Sequence, residues 1–245
     1  MDEYLAAIRG RRDEIMARVD AALERAGRAP GSVQVMAVSK TVDVPQVLAA
    51  IEAGYRLFGE NRPQELARKL TALGEVEGLP DVRFDMIGNL QTNKINAVLG
   101  RAARIHSVSS LHLAEAISSR AERRLAAGEL ASAQPVLIEV NISGEASKSG
   151  FTADELRAAF PRLSELDGIR LQGLMTMAPR GDKSIARATF RGLRELRDEL
   201  AATYPACDLS ELSCGMSEDF EAAILEGSTL VRLGRVVFNP AFELE

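Results

Sequence analysis

The first strand-like segment of the chain is the apolar run Val33-Gln34-Val35-Met36-Ala37-Val38-Ser39-Lys40, which follows an amphipathic N-terminal segment. Runs of this length and composition are typical of buried strands. In α/β proteins, ligands bind at the C-terminal ends of parallel strands. An amine held there near apolar walls has a lowered pKa and becomes a nucleophile toward carbonyl carbon. Lys40 is therefore either a Schiff-base lysine or an ordinary solvated lysine at a strand end.

Strand-like and helix-like segments alternate from this run to the end of the chain. Eight strands are predicted, with a helix after each of the first seven and an extra amphipathic helix over 2–27 at the N-terminus. Alternating βα units give a parallel sheet, and eight of them fit a closed (β/α)8 TIM barrel. An open doubly wound sheet is the alternative. The predicted strands cover 33–39, 56–58, 84–87, 104–108, 135–141, 170–174, 209–213 and 229–233.

Local signals mark the ends of several predicted helices, which cover 45–53, 62–73, 92–99, 110–127, 152–165, 185–203 and 217–226. Thr152 with Glu155 three residues later predicts a capping box, and Ser110 predicts a similar helix start. Helices are expected to end at glycines, which adopt left-handed backbone freely; these are Gly54, Gly100 and Gly128. No Pro-, Gly- or Ser-rich linker interrupts the pattern, so we expect residues 1–245 to form a single domain.

The composition excludes several classes of protein. With 46% hydrophobic and 27% charged residues, the chain is an ordinary soluble globular protein. A net charge of −5 and a pI near 5.3 argue against nucleic-acid binding. No apolar stretch is long enough to span a bilayer and the acidic N-terminus is unlike a signal peptide, so we expect a cytoplasmic protein. The two cysteines and two histidines have no metal-ligand spacing, and we expect no metal site.

The loops after the seventh and eighth predicted strands have features of a phosphate site. The segment Ser213-x-Gly215-Met216-Ser217 leads into a predicted helix, so that Ser217 would be its N-cap and the free N–H groups would favour an anion. Gly234 lets the next loop approach a ligand closely, and TIM barrels often bind phosphate in these two loops. A phosphate site opposite the amine of Lys40 suits a phosphorylated aldehyde, and pyridoxal 5'-phosphate fits. Arg232 would face the pyridine nitrogen, which an arginine cannot protonate, or form an ion pair at the rim.

Seven ordered motifs lie along nearly the whole chain, and together they are highly specific. They are Ala37-Val38-Ser39-Lys40, Phe58-Gly59-Glu60-Asn61, Ile87-Gly88-x-Leu90-Gln91-x-Asn93-Lys94, Val140-Asn141-Ile142-Ser143-Gly144-Glu145-x-Ser147-Lys148-x-Gly150, Gly173-Leu174-Met175, Leu212-Ser213-x-Gly215-Met216-Ser217-x-Asp219 and Val231-Arg232-Leu233-Gly234. On these motifs the chain resembles the pyridoxal phosphate homeostasis proteins, which are relatives of the N-terminal barrel of bacterial alanine racemase.

The resemblance implies a single (β/α)8 barrel that holds pyridoxal phosphate on Lys40. It implies that the cofactor contacts Asn61, Arg232 and the phosphate loops, in which the residues concerned are Ser213, Met216, Ser217 and Gly234. Lys94 and the 143–150 loop with Lys148 lie where the family is thought to transfer the cofactor. It further implies a monomeric or weakly dimeric carrier that keeps free cofactor low and supplies dependent apo-enzymes, without established turnover.

Three positions depart from the family pattern. Asp85 stands in Phe84-Asp85-Met86, where Trp-His-Phe is usual. Arg235 replaces the hydroxyl residue that usually follows Val-Arg-Ile-Gly, and Asn239-Pro240 follows Phe238 where a glycine is common. Arg235 either replaces the hydroxyl by a charge-assisted contact to phosphate or points away from it.

Two enzymatic hypotheses remain beside the carrier. A weak amino-acid racemase would use the same lysine, but it needs acid/base groups on both faces of the substrate carbon. The second group in alanine racemases is a tyrosine, and none of Tyr4, Tyr55 and Tyr204 falls in a predicted rim loop. A Schiff-base aldolase acting on a sugar phosphate would need a nearby carboxylate or tyrosine as acid/base partner, for which Glu60 and Asp85 are the candidates. His106 is interpreted as a satisfied residue at a strand end and not as a base, and Met175 and Met177 as packing of the barrel.

Overall fold

A computed structural model describes residues 2–145, 148–179 and 181–244. Its eight strands are parallel and close into a barrel in chain order, because β1 pairs with both β2 and β8. The predicted TIM barrel is confirmed and the open sheet is wrong. The strands are β1 Gln34–Val38, β2 Leu57–Glu60, β3 Arg83–Met86, β4 Ile105–Val108, β5 Gln134–Glu139, β6 Ile169–Met175, β7 Glu211–Ser213 and β8 Leu230–Leu233.

The helices surround this barrel, and most agree with the sequence pattern. They are α1 Asp2–Arg25, α2 Val44–Glu52, α3 Pro63–Gly74, α4 Ile95–Val98, α5 Leu111–Ala126, α6 Ala153–Leu163, α7 Lys183–Thr203, α8 Phe220–Leu225 and α9 Arg235–Phe238, with a 3-10 turn over Thr92–Lys94 before α4. The extra N-terminal helix α1 packs against α8, α2 and α9. The sequence pattern did not predict α9.

Helix ends follow the predicted chemistry, with one refinement. Thr152 and Glu155 form the capping box of α6. Ser110 caps α5 by accepting from the Leu113 amide, but Leu113 cannot return the bond, so this start is a simple cap. Gly54, Gly100 and Gly128 have φ of 106°, 73° and 71°, the left-handed region that a Cβ disfavours.

The core lies both inside the barrel and between the strands and the helices. Phe58 and Phe84 are partners in the β2–β3 register and stack with ring centroids 5.0 Å apart. Buried polar side chains also occur on six of the eight strands, and buried polar groups require partners. They are Glu60, Asp85, His106, Ser107, Gln134, Glu139, Ser213 and Arg232. Most of them lie toward the C-terminal ends, where a barrel carries its binding site.

Candidate functional site

Lys40 lies in the turn directly after β1, at the C-terminal end of the barrel, and its side chain is exposed. The expected apolar walls therefore do not enclose it. Its amine makes no hydrogen bond or ion pair with any residue that the structure describes. A primary amine without a competing partner at the barrel mouth is available to an incoming carbonyl carbon.

A buried ion pair lies directly beneath Lys40. The amine of Lys69, on α3, donates to Glu60 at the end of β2, and it also donates to the Ser39 carbonyl at 2.7 Å. The Ser39 hydroxyl donates to Glu60 Oε1 at 2.7 Å. Lys69 was not among the site residues predicted from the sequence. Its position in the helix pattern could have identified it, because Lys69 falls on the buried face of α3 with Pro63 and Leu66.

Asn61 follows β2 and is half-buried beside this ion pair, with its amide donating to Glu60 Oε2 at 3.2 Å. The loop after β3 packs on its backbone. A Cβ added to Gly88 would lie 2.4 Å from the Asn61 carbonyl oxygen, so only glycine fits there. Gly88 is itself fixed, since its carbonyl accepts from the Ser107 hydroxyl at 2.6 Å. Asn61 is thus held from two sides.

Arg232 is buried inside the barrel at β8, where its guanidinium connects three strands. It donates to the Ser213 carbonyl and hydroxyl, both at 2.7 Å, and to the Thr176 carbonyl at 3.0 Å. An ion pair at the rim, the alternative considered for this residue, is wrong. Ser213 is fully buried and accepts hydrogen bonds from Arg232, so it supports the site by holding the Arg232 guanidinium in place.

A chain of hydrogen bonds continues from Ser213 across the barrel. The Ser213 hydroxyl lies 3.1 Å from His106 Nδ1, and His106 Nε2 lies 3.0 Å from Asp85 Oδ2. Burial lowers the pKa of His106 below its ordinary 6.5 despite the Asp85 carboxylate, so the ring is neutral near pH 7. With the proton on Nε2, every contact from Arg232 to Asp85 has one donor and one acceptor. His106 is a satisfied core residue, and Asp85, the family departure, is its partner.

The two proposed phosphate loops meet, but not in the expected way. Asp219 Oδ1 accepts from the Met216 amide at 2.5 Å and closes a turn, so α8 begins at Phe220. The expectation that Ser217 caps this helix is therefore wrong. The Ser217 hydroxyl instead accepts from the Val236 amide in the first turn of α9, after β8, at 3.4 Å.

Gly234 brings the same loop against β1. A Cβ placed there would lie 3.6 Å from the Val38 carbonyl oxygen, two residues before Lys40. Arg235 points to the surface, where its guanidinium pairs with Glu218 at 2.5 Å and lies over the Phe242 ring. The guanidinium is thus engaged by Glu218 at the surface, which favours the alternative in which Arg235 points away from the phosphate. Asn239 ends α9, and its side chain accepts from the Ala241 amide at 3.1 Å.

The two lysines assigned to transfer lie on separate loops. Lys94 ends the 3-10 turn after β3 and is partly exposed. The Lys148 amine lies 3.5 Å from the Ala178 carbonyl oxygen and 3.7 Å from Glu145 Oε2. Asn141 holds this loop by donating to the carbonyls of Glu145 and Lys148. Ser147, which belongs to the motif, lies outside the described residues.

Glu139 ends β5 and was not predicted as a site residue. It is 2% exposed, and its Oε2 has no hydrogen-bond partner in the described part of the chain. Burial raises the pKa of this carboxyl, opposed by the charge of Arg232. A buried polar atom without a partner costs about 1–3 kcal/mol, so it invites a ligand or water. The residue stood out in the sequence as the one acid in the apolar strand 135–141.

Two other functional classes find no support in the described residues. In 2–145, 148–179 and 181–244, no cluster of three or more His, Cys, Asp or Glu side chains is placed to hold a metal ion. Within the same ranges, none of the helices combines the length and apolar character needed to cross a bilayer.

Comparison with known proteins agrees with this architecture. The family model described as alanine racemase, N-terminal domain, matches residues 11–240. A pyridoxal phosphate homeostasis protein of Aquifex aeolicus is 39% identical over 94% of this chain and 96% of its own. A crystal structure of an unknown protein from Bifidobacterium adolescentis is 41% identical, with a TM-score of 0.87 and 97% of each chain covered.

A further relative has been solved with and without a cofactor. PipY of Synechococcus elongatus with pyridoxal phosphate bound is 36% identical, with a TM-score of 0.77 over 91% of this chain and 100% of its own. The PipY structure without the cofactor gives a TM-score of 0.78. With the barrel, the seven motifs and these matches together, the chain belongs to the pyridoxal phosphate homeostasis protein family, within the fold of the alanine racemase N-terminal domain.

Proposed function

We propose that this protein binds pyridoxal 5'-phosphate as a Schiff base on Lys40 and maintains the intracellular supply of that cofactor. One observation carries the proposal: the amine of Lys40 lies exposed and without a described partner at the end of β1. The cofactor supplies an aldehyde at this position. The Lys40 nitrogen forms a C=N bond to the aldehyde carbon, and the aldehyde oxygen leaves as water. The pyridoxal phosphate bound in the PipY structure supports the same ligand.

The surrounding residues fit the remaining parts of that molecule. The Ser217 hydroxyl and the loop around Met216 and Gly234 are assigned to the phosphate, because two loops converge there. Arg232 is assigned to the ring nitrogen, since its guanidinium is fixed inside the barrel. The orphaned oxygen of Glu139 is a further polar atom that a ligand in the barrel would satisfy. Asn61 is assigned to the pocket wall next to Lys40.

We propose a carrier without turnover, and the positions of the tyrosines support this choice over a racemase. Tyr4 donates its hydroxyl hydrogen to the Phe238 carbonyl. Tyr55 is buried before β2, at the opposite end of the barrel from Lys40, and Tyr204 ends α7 at that same opposite end. None of the three tyrosines is therefore placed to act as the second acid/base group on the far face of a substrate.

An aldolase is also disfavoured by the contacts of its candidate acids. Glu60 is occupied by Lys69 and Ser39, and Asp85 by His106.

We further propose that Lys94 and Lys148 take part in passing the cofactor to dependent apo-enzymes, and that the protein works in the cytoplasm as a monomer. Both lysines flank loops at the same end of the barrel as Lys40.

The decisive experiment locates the adduct. The purified protein is mixed with pyridoxal phosphate, its absorbance recorded, and the adduct reduced with borohydride and mapped by peptide mass. The chain has five lysines, namely Lys40, Lys69, Lys94, Lys148 and Lys183. We expect a single reduced adduct on Lys40, its loss in Lys40→Ala with an unchanged circular dichroism spectrum, and no change in the surface control Lys183→Ala.

Other outcomes separate the hypotheses. An adduct spread over several lysines, or one that survives Lys40→Ala, contradicts the assignment. An assay of D- and L-alanine interconversion by the loaded protein tests the carrier against the racemase. Sustained turnover that disappears in Lys40→Ala would favour the racemase.

A further inference from the structure

The buried ion pair beneath Lys40 is the strongest feature that the proposed function does not use. Lys69 is 1% exposed, and Glu60 and Ser39 are fully buried. A buried lysine is costly, because removing an ammonium from water is only partly repaid by its partner. An apolar pair of similar volume would often stabilise the fold as well. The retained charges therefore suggest a role besides stability.

The contacts of the pair all lead to the site. Lys69 donates to the carbonyl oxygen of Ser39, which belongs to the peptide group that joins Ser39 to Lys40. Glu60 accepts from the Ser39 hydroxyl through one oxygen and from the Asn61 amide through the other. One ion pair thus holds the backbone before Lys40 and the backbone of Asn61. Both strand ends also join directly, since the Ser39 amide donates to the Gly59 carbonyl at 3.0 Å.

We propose that the Lys69–Glu60 pair is a positioning device that fixes the Lys40 amine relative to the pocket wall at Asn61. The inference rests on the proposed function of Lys40. Lys69 is not itself a second nucleophile, because its amine is buried and donates to two oxygen atoms. Without the pair, the strand end keeps its place in the barrel but the Ser39–Lys40 peptide and the Asn61 amide can rotate. Lys40 is then presented in several orientations.

The test replaces both charges at once. The variant Lys69→Met/Glu60→Gln removes the ion pair with little change of volume and leaves no unpaired buried charge. A matched control, Arg104→Met/Glu211→Gln, removes a largely buried pair of 2.8 Å that joins the starts of β4 and β7, at the opposite end of the barrel. Each protein is measured by urea unfolding, by the rate of covalent capture of pyridoxal phosphate, and by amide hydrogen exchange without cofactor.

We expect the site variant to unfold near the wild-type urea midpoint but to capture the cofactor roughly 10- to 100-fold more slowly, since a misplacement of about 1 Å can cost that much. The amides of Ser39, Val42 and Asn61, which are hydrogen-bonded at the two strand ends, exchange faster in the cofactor-free variant. The control changes neither the capture rate nor those amides. Wild-type capture and wild-type exchange in the site variant would overturn the inference, because the pair would then be only structural.

Two further outcomes are covered: a double variant that does not fold, and a wild-type protein that forms no adduct. If the double variant does not fold, Ser39→Ala removes a single bond to Glu60, and we expect a several-fold slower capture in a stable protein. Unchanged capture and exchange in Ser39→Ala would then count against the inference. Failure of the wild-type protein to form an adduct on Lys40 would instead refute the proposed function, while the exchange measurement still tests the positioning of residues 39–41.

Discussion

Replacing Gly88 by alanine tests how the loop after β3 supports the site. The new Cβ would lie 2.4 Å from the Asn61 carbonyl oxygen and 2.7 Å from its Cα, whereas ordinary contacts begin at 3.4 Å. The two backbones must separate by about 1 Å. Gly88 cannot withdraw freely, because Ser107 holds its carbonyl at 2.6 Å. Most of the movement therefore falls on Asn61.

The expected cost follows from overpacking. Forcing extra carbon into a packed site destabilises proteins by about 1–3 kcal/mol. In a chain of this size each kcal/mol lowers Tm by roughly 2–4 °C. We also expect about tenfold weaker binding of pyridoxal phosphate, equivalent to about 1.4 kcal/mol, because we propose Asn61 as part of the pocket wall and the substitution displaces it. Urea unfolding gives the first quantity and an absorbance titration gives the second.

A glycine without neighbours serves as the control. Gly10 lies within α1 and has no atom within 4 Å of an added Cβ. Gly10→Ala should stabilise the protein by roughly 0.5–1 kcal/mol, since alanine is the better helix former, and leave cofactor binding unchanged. If Gly88→Ala matches the wild type in both stability and affinity, the close packing of the two loops does not support the site as argued.

Three further predictions concern single side chains. Ser217→Ala should weaken binding of pyridoxal phosphate more than that of pyridoxal, which lacks the phosphate; equal losses in parallel titrations would mean that Ser217 only accepts from the Val236 amide. Burial raises the pKa of Glu139 above 4.5, so the folded protein binds more protons there than the unfolded chain and loses stability as pH rises from about 4.5. Glu139→Gln should remove this loss, and urea midpoints that run parallel to wild type from pH 4.5 to 7.5 would contradict it. Thr152→Ala should destabilise the protein by about 1 kcal/mol by removing the capping box of α6, with calorimetry as the measurement and an unchanged Tm as the contrary result.

The barrel was predictable because its signals are local. Each strand is a short apolar run followed by an amphipathic helix, and the caps at Thr152 and Ser110 need only residues within the same turn. The positions just after the strands were predictable for the same reason. Once eight parallel strands are accepted, topology alone brings Lys40, Asn61 and Gly234 to one end of the barrel.

The parts that were missed or wrong depend on contacts between distant residues. Ser217 precedes a predicted helix and is a residue type that caps helices, but the side chain of Asp219 closes the turn and moves the helix start to Phe220. Lys69 lies nine positions after Glu60 and on a different element. The helix pattern alone does not show that a lysine on the apolar face of α3 pairs with a carboxylate at the end of β2. The partners Asp85, His106 and Ser213 are likewise separated by 21 and 107 positions.

The protonation states inside the barrel bear on the choice between holding a ligand and transforming it. His106 is kept neutral by burial and bonded at both nitrogens, so it has no free position from which to take or give a proton. Arg232 has its terminal nitrogens committed to Ser213 and Thr176, and Glu60 is committed to Lys69. A catalyst needs groups that change protonation near the working pH. These three groups are instead held in place by hydrogen bonds or by an ion pair. Such an interior suits a protein that holds a cofactor, and Glu139, whose Oε2 has no partner in the described part of the chain, is the place where any acid/base chemistry would have to begin.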